Sequence, residues 1–180
     1  MKYETELDSF LFTSEGLKLR VYKAQPKGRS PLPLVLVNHG GGGMEEIYLE
    51  MCLHLAELGY MALAMTFRGY GESEGFQEYG KGEIRDLLNL VEYLKSQSLV
   101  DEGRMGMFGY SRGALNTLLA AEQSRDFRAI VVWSAPVEMR LHFMLNPFIA
   151  DLIGGLPDEL PEEYRIRSPI NFVRNLSGSL

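Results

Sequence analysis

A single serine lies between two glycines in a pattern that is typical of a nucleophilic hydroxyl. The segment Gly109-Tyr110-Ser111-Arg112-Gly113 follows a short apolar run, 104–108, and precedes a run of helical character, 112–123. A strand, then Gly-x-Ser-x-Gly, then a helix predicts a tight turn that strains the backbone of the serine. Because such a turn leaves room only for small neighbours, both glycines are expected. Ser111 is therefore the candidate nucleophile, and the helix N-terminus beneath it favours developing negative charge.

A second candidate element is the glycine-rich loop 40–43, which follows an apolar run and His39. A loop of this kind can present backbone N–H groups to an oxyanion. We predict that the N–H of Gly41 is one oxyanion donor and that the N–H of Arg112 is the other. The alternatives are an ordinary turn and a phosphate-binding loop, and the second is disfavoured because no Gly-Lys-Ser/Thr accompanies the glycines.

The elements that must position these residues alternate between strands and helices. Residues 3–12 and 17–24 alternate apolar and polar positions and predict an antiparallel hairpin. The other predicted strands cover 34–37, 60–65, 104–108 and 129–134, and the predicted helices cover 45–58, 82–97 and 112–123. The helical spacing predicts that the first helix buries Ile47, Met51, Leu55 and Leu58. This order predicts an α/β fold with flanking helices and a mainly parallel sheet of about six strands.

The chain is expected to form one domain in two parts. Residues 1–136 would make up the α/β core, and residues 137–180 a cap-like tail of short helices and irregular segments that is rich in proline. Within the core, Trp133 is expected to be buried, and Cys52, the one cysteine, is interpreted as a buried structural thiol.

The motifs together resemble those of α/β-hydrolases in the prolyl oligopeptidase and dienelactone-hydrolase-like group. The resemblance covers about residues 17–136 and rests on the 40–43 loop, on 68–75, and on 101–106 leading into the Ser111 motif. Ser168-Pro169-Ile170 is also similar to a segment that precedes the acid-bearing strand in that family. The resemblance implies a serine hydrolase that forms an acyl-enzyme from an ester or amide and releases the acid with water.

The resemblance also implies an acid and then a histidine, each following a further strand after Ser111. Too few residues follow Pro136 for two more strand–helix units, which need on the order of 50–60 residues. We therefore expect an α/β-hydrolase fold that lacks its last two strands. His142, the only histidine after Ser111, is the candidate base within this chain. His39 is interpreted as structural, and His54 as a core or surface residue of the first helix.

The remaining polar side chains are interpreted as ordinary structural groups. Arg68 and Tyr70 are interpreted as a loop arginine and a packing tyrosine, with a role in shaping an active-site loop as the alternative. Acidic residues outside the motifs are expected on solvated surfaces: Asp86, Asp126, Asp151, Asp158, Glu159, Glu162 and Glu163.

Three functional hypotheses follow from the sequence. The chain is an incomplete serine hydrolase for esters or short amides that is weakly active or inactive at this length, a non-catalytic relative that binds a partner, or a hydrolase completed by another subunit. The expected partners are a small ester or peptide substrate and a second copy of the chain, bound through an exposed sheet edge or the apolar segment 140–153.

The net charge of −6 disfavours a nucleic-acid partner. No metal, cofactor or membrane span is indicated, and a cytoplasmic location is expected.

Overall fold

The computed structural model describes residues 2–176, in which six strands form one sheet. In chain order the strands are β1 (Thr5–Ser14), β2 (Leu17–Pro26), β3 (Leu32–Asn38), β4 (Met61–Met65), β5 (Val100–Tyr110) and β6 (Phe127–Trp133). Their order across the sheet is β1-β2-β4-β3-β5-β6. β1 and β2 form the antiparallel hairpin and β2 is antiparallel to β4, whereas β3, β4, β5 and β6 are parallel to their neighbours within that group. The predicted α/β fold with a mainly parallel sheet is confirmed.

Six helices surround the sheet or follow it. They are α1 (Glu46–Glu57), α2 (Gly82–Ser96), α3 (Arg112–Gln123), α4 (Met139–Leu145), α5 (Ile149–Ile153) and α6 (Pro161–Ile166), followed by two 3-10 turns, Pro169–Asn171 and Val173–Asn175. The last four residues, 177–180, lie outside the described residues. Within residues 2–176 no helix is both long enough and apolar enough to span a bilayer.

Side chains of β4 show how the sheet is covered on its two faces. All five residues of β4 are buried, because both faces of the sheet are covered at this central strand. Met61, Leu63 and Met65 point into the larger core with α2 and α3, while Ala62 and Ala64 point to a smaller cluster beneath α1. Strand side chains alternate between faces, so a continuous apolar run is what a strand buried on both sides requires.

The face that α1 buries differs from the predicted one. Tyr48, Cys52 and Ala56 are buried, whereas Ile47 and Leu58 are 55% and 53% exposed. The strand surface beneath α1 consists of alanines and valines, so small side chains at Cys52 and Ala56 let the helix approach closely. Cys52 is buried as predicted, and burial raises the pKa of its thiol to about 12, which keeps it unreactive.

On the same side of the sheet, an apolar groove of about 1050 Å³ lies beside α1. Met51 and Leu55 of α1 line one wall, and Val35, Phe108 and Val131 of β3, β5 and β6 form its floor. The expectation that Trp133 is a core residue is wrong, because its side chain is 68% exposed. β6 is the edge strand of the sheet in the described residues, and Val131 and Trp133 leave one of its faces exposed.

Candidate active site at the β5–α3 turn

Ser111 occupies the turn between β5 and α3 with an unusual backbone conformation. Its φ is 51° and its ψ is −115°, a region that costs a non-glycine residue energy. The Ser111 N–H donates to the carbonyl of Trp133 at 2.8 Å, which ties the turn to the end of β6. The strained turn predicted from the sequence is confirmed, and it places the hydroxyl at the C-terminal end of the parallel strands.

The flanking glycines are required because the backbone passes too close to its neighbours for a side chain. A Cβ at Gly113 would collide with the carbonyl oxygens of Asn38 and His39, and a Cβ at Gly109 would collide with Gly113 and Thr117. Buried hydrogen bonds maintain this approach: Asn38 Nδ2 donates to Thr117 Oγ1 at 2.8 Å, and the Thr117 hydroxyl donates to the Gly113 carbonyl at 2.8 Å. The turn 109–113, called the elbow below, therefore packs directly against the start of the glycine-rich loop.

His39 is a structural residue of that loop, as predicted. Its Nε2 accepts from the Phe67 N–H at 3.0 Å, and its Nδ1 lies 2.7 Å from the Gly40 carbonyl. One nitrogen accepts while the other donates, which describes a neutral imidazole protonated on Nδ1. Burial lowers the pKa of His39 to about 4, so it stays neutral at physiological pH. Both nitrogens are occupied, and neither contacts Ser111.

The two proposed oxyanion donors lie on either side of this junction. Gly41 is exposed, with open space where a side chain would stand, and Arg112 begins α3. The first N–H groups of a helix have no intrahelical acceptor, so the Arg112 N–H is available to an anion. Within residues 2–176, neither the Gly41 N–H nor the Ser111 hydroxyl has a hydrogen-bond partner. The assignment of these donors stays a prediction.

The structure does not bring His142 to Ser111. The His142 Nε2 lies 2.7 Å from the Tyr79 hydroxyl, its Nδ1 lies 3.3 Å from Asn146 Nδ2, and its ring stacks on Tyr79. Burial lowers the pKa of His142. His54 is exposed on α1. Among the described residues, therefore, no histidine is hydrogen-bonded to the candidate nucleophile.

Sequence reasoning missed the environment of the Arg112 side chain. The guanidinium is 3% exposed and donates from Nη2 to Glu83 Oε1 at 2.6 Å, while the Glu83 side chain is fully buried. Glu83 also accepts from the backbone N–H groups of the four residues before α2 (Glu78, Tyr79, Gly80 and Lys81). The available signal was a glutamate in the first turn of a helix, which is a common capping position.

Asp86 is a buried ion-pair partner, so its assignment as a surface charge is wrong. Both of its oxygens accept from Arg68, at 2.7 Å from Nε and 2.8 Å from Nη2. The same guanidinium also contacts Glu15 and Glu78, and its hydrogen bonds to Asp86 and to these two carboxylates raise the pKa of Arg68, although burial opposes them. Arg68 therefore joins the β1–β2 turn, the loop after β4 and α2. Asp126 pairs with Lys95 and is partly exposed.

The acidic residues of the tail lie largely on the surface, as expected. Asp151, Asp158, Glu159 and Glu162 are exposed, and Glu163 is half-buried between Lys81 and Arg167. No group of three or more potential metal ligands occurs within residues 2–176.

Comparison with known proteins agrees with this geometry. The sequence profile of the prolyl oligopeptidase family matches residues 49–180. The uncharacterized peptidase YtmA of Bacillus subtilis is 25% identical over 178 residues, which are 96% of this chain and 69% of YtmA.

Two solved structures share the fold over nearly the whole chain. Pyrococcus horikoshii acylaminoacyl peptidase has a TM-score of 0.80 at 26% identity, with 97% of this chain and 31% of that chain covered. A puromycin-hydrolyzing peptidase of Mycobacterium tuberculosis has a TM-score of 0.84 at 17% identity, with 97% and 30% covered. The chain thus spans about a third of these peptidases.

Proposed function

Since the chain belongs to the prolyl oligopeptidase family of α/β-hydrolase-fold serine hydrolases, we propose that it cleaves carboxylic esters or short amides through an acyl-enzyme on Ser111. The observation that supports the proposal most is the left-handed φ of Ser111 at a strand–helix turn whose Gly113 packs against the Asn38 and His39 carbonyls, where the glycine-rich loop begins. A serine held this way presents its hydroxyl to a substrate and places the carbonyl oxygen near the start of α3.

In the proposed reaction, Ser111 Oγ attacks the carbonyl carbon and its proton passes to a base. The Gly41 and Arg112 N–H groups stabilise the oxyanion, which collapses with loss of the protonated alcohol or amine. Water then attacks the acyl-enzyme and releases the acid and the free serine. His142 is the candidate base of this chain and would have to release Tyr79; a second subunit is the other source that we propose.

The first test is covalent labelling of the purified chain with a fluorophosphonate, read by intact mass. Ser111 Oγ would attack phosphorus and expel fluoride, so we expect one adduct per chain that is absent from Ser111→Ala. Ser98→Ala is the matched control, because Ser98 also has a left-handed φ, of 53°, but lies outside the elbow. Labelling of Ser98→Ala should equal that of the unchanged chain.

A chain that takes up no fluorophosphonate would support the second candidate function, a non-catalytic binding module of the same fold. The observation in favour of this alternative is that no base contacts Ser111 among residues 2–176. Equal labelling of the unchanged chain and of Ser111→Ala would also contradict the proposed role of this serine.

We also propose that the chain self-associates through the edge of β6. Val131 and Trp133 are 57% and 68% exposed there, and the apolar groove continues from the same edge. An edge strand offers unpaired N–H and C=O groups to a second chain. We expect a dimer in sedimentation velocity at tens of micromolar, weakened by Val131→Lys, with Ile47→Lys on the exposed side of α1 as the control. A monomer at that concentration would contradict the proposal.

We also propose a cytoplasmic location, because the single cysteine is free and the proposal therefore needs no oxidising compartment.

A further inference from the structure

Tyr70 connects the two halves of the candidate oxyanion hole. Its hydroxyl donates to the Gly41 carbonyl at 3.1 Å and accepts from Arg112 Nη1 at 2.8 Å. Its ring meets the edge of His39 with centroids 5.2 Å apart and lies against Gly43, where a Cβ would be 3.3 Å from the ring. One side chain thus contacts the glycine-rich loop at two points, His39 before it at a third, and the residue after the candidate nucleophile at a fourth.

The Arg112 guanidinium is a fixed anchor for this hydroxyl. Besides Tyr70 it donates to Gln77 Oε1 at 2.6 Å and to Glu83 at 2.6 Å, and it lies 4.6 Å above the centre of the Tyr79 ring. Burial alone would raise the pKa of Glu83, but Arg112 and the backbone N–H groups outweigh burial and lower it. The ion pair therefore stays charged at neutral pH and restricts the guanidinium to one position.

The orientation of the Gly41 N–H depends on the two peptide planes that meet at Gly41. In a trans peptide the N–H points opposite to the carbonyl, so the Gly40 carbonyl held by His39 sets the direction of the Gly41 N–H. The next plane is held at the Gly41 carbonyl by Tyr70. Without that second bond, the plane between Gly41 and Gly42 can rotate, because glycines allow many backbone conformations. The Gly43 N–H, which donates to the Gly40 carbonyl, and the Gly40 N–H, which donates to Tyr48, still hold the two ends of the loop.

We infer that Tyr70, held by the Arg112 side chain, is a positioning residue that restricts the backbone at Gly41 by holding its carbonyl, and so helps to preform the oxyanion hole. The inference rests on the proposed hydrolase function. Donors stabilise a developing oxyanion best when they need no rearrangement during the reaction. Arg112 then acts twice, through its backbone N–H as a donor and through its guanidinium as the support of the other donor.

The test is Tyr70→Phe, which removes the hydroxyl and keeps the ring against His39 and Gly43. The control is Tyr93→Phe, which removes a partly exposed hydroxyl near Phe10 and Phe12, away from the loop. For hydrolysis of p-nitrophenyl acetate we expect kcat to fall about tenfold with KM unchanged, because a donor is displaced rather than lost. Amide hydrogen exchange in 40–44 should become faster in Tyr70→Phe and stay unchanged in Tyr93→Phe.

The two readouts separate failure of this inference from failure of the proposed function. Unchanged exchange in 40–44 of Tyr70→Phe overturns the positioning role, whatever the activity. An equal fall in kcat in both tyrosine variants also overturns it. If the unchanged chain hydrolyses the ester no faster than Ser111→Ala, the proposed function fails, and exchange alone decides whether Tyr70 holds the loop.

Discussion

Replacing Arg68 with methionine should lower the free energy of unfolding by about 3–5 kcal/mol, because a buried carboxylate would lose its partner. The Asp86 side chain is fully buried and both oxygens accept from Arg68, so in the variant the charge would have no compensating cation. Urea unfolding followed by circular dichroism measures the effect. The matched control is Arg104→Met, since Arg104 pairs with Asp101 at an exposed site and should lose less than about 1 kcal/mol.

The double variant Arg68→Met/Asp86→Leu distinguishes an unpaired charge from lost packing. Removing both charges should recover part of the stability that Arg68→Met loses, so the two substitutions should be strongly non-additive. If Arg68→Met were no less stable than Arg104→Met, Arg68 would not hold together the β1–β2 turn, the loop after β4 and α2.

Gly113→Ala should destabilise the fold by about 3 kcal/mol, at the upper end of what overpacking usually costs. The new Cβ would collide with two backbone carbonyls, those of Asn38 and His39, and backbone atoms cannot move aside as a flexible side chain can. The elbow and the glycine-rich loop would have to separate, so fluorophosphonate labelling of Ser111 should fall as well. Urea midpoints and labelling rates, measured on the same samples, test both effects.

Gly41→Ala is the matched control for stability, because a Cβ there meets nothing within 4 Å and its φ lies outside the left-handed region. Its free energy of unfolding should stay within about 0.5 kcal/mol of the unchanged chain. If Gly113→Ala and Gly41→Ala had equal urea midpoints, the close approach of the elbow to β3 would not be what excludes a side chain at position 113.

Local sequence signals were sufficient for the elements that carry the nucleophile. Gly-x-Ser-x-Gly between a strand and a helix predicted the strained Ser111, because short-range sterics alone determine which residues such a turn accepts. The continuous apolar runs predicted β3 and β4, since strands covered on both faces need apolar residues at every position. The apolar run at 129–134 also predicted β6, although one face of that strand is exposed. Element bounds differed by a few residues, most at β5, which begins at Val100 rather than at 104.

The sequence-based predictions that were wrong concern side chains whose surroundings are formed by residues distant in the sequence. Asp86 is polar within a helix, which usually indicates a surface, and only the packing of α2 against the loop after β4 places it on Arg68. Trp133 ends an apolar run, yet its exposure depends on which elements cover β6. The buried face of α1 likewise depended on the alanines beneath it.

The sequence by itself determined the fold class, the family and the turn that carries Ser111, because these depend on periodicity, glycine sterics and short motifs. Only the tertiary structure decided that His142 is bonded to Tyr79 and that Arg112 is buried on Glu83 beside Tyr70. Those partners are separated by 29 to 63 positions along the chain. Local sequence patterns carry no information about such pairs, because they form only when sheet and helix packing brings distant segments within hydrogen-bond distance.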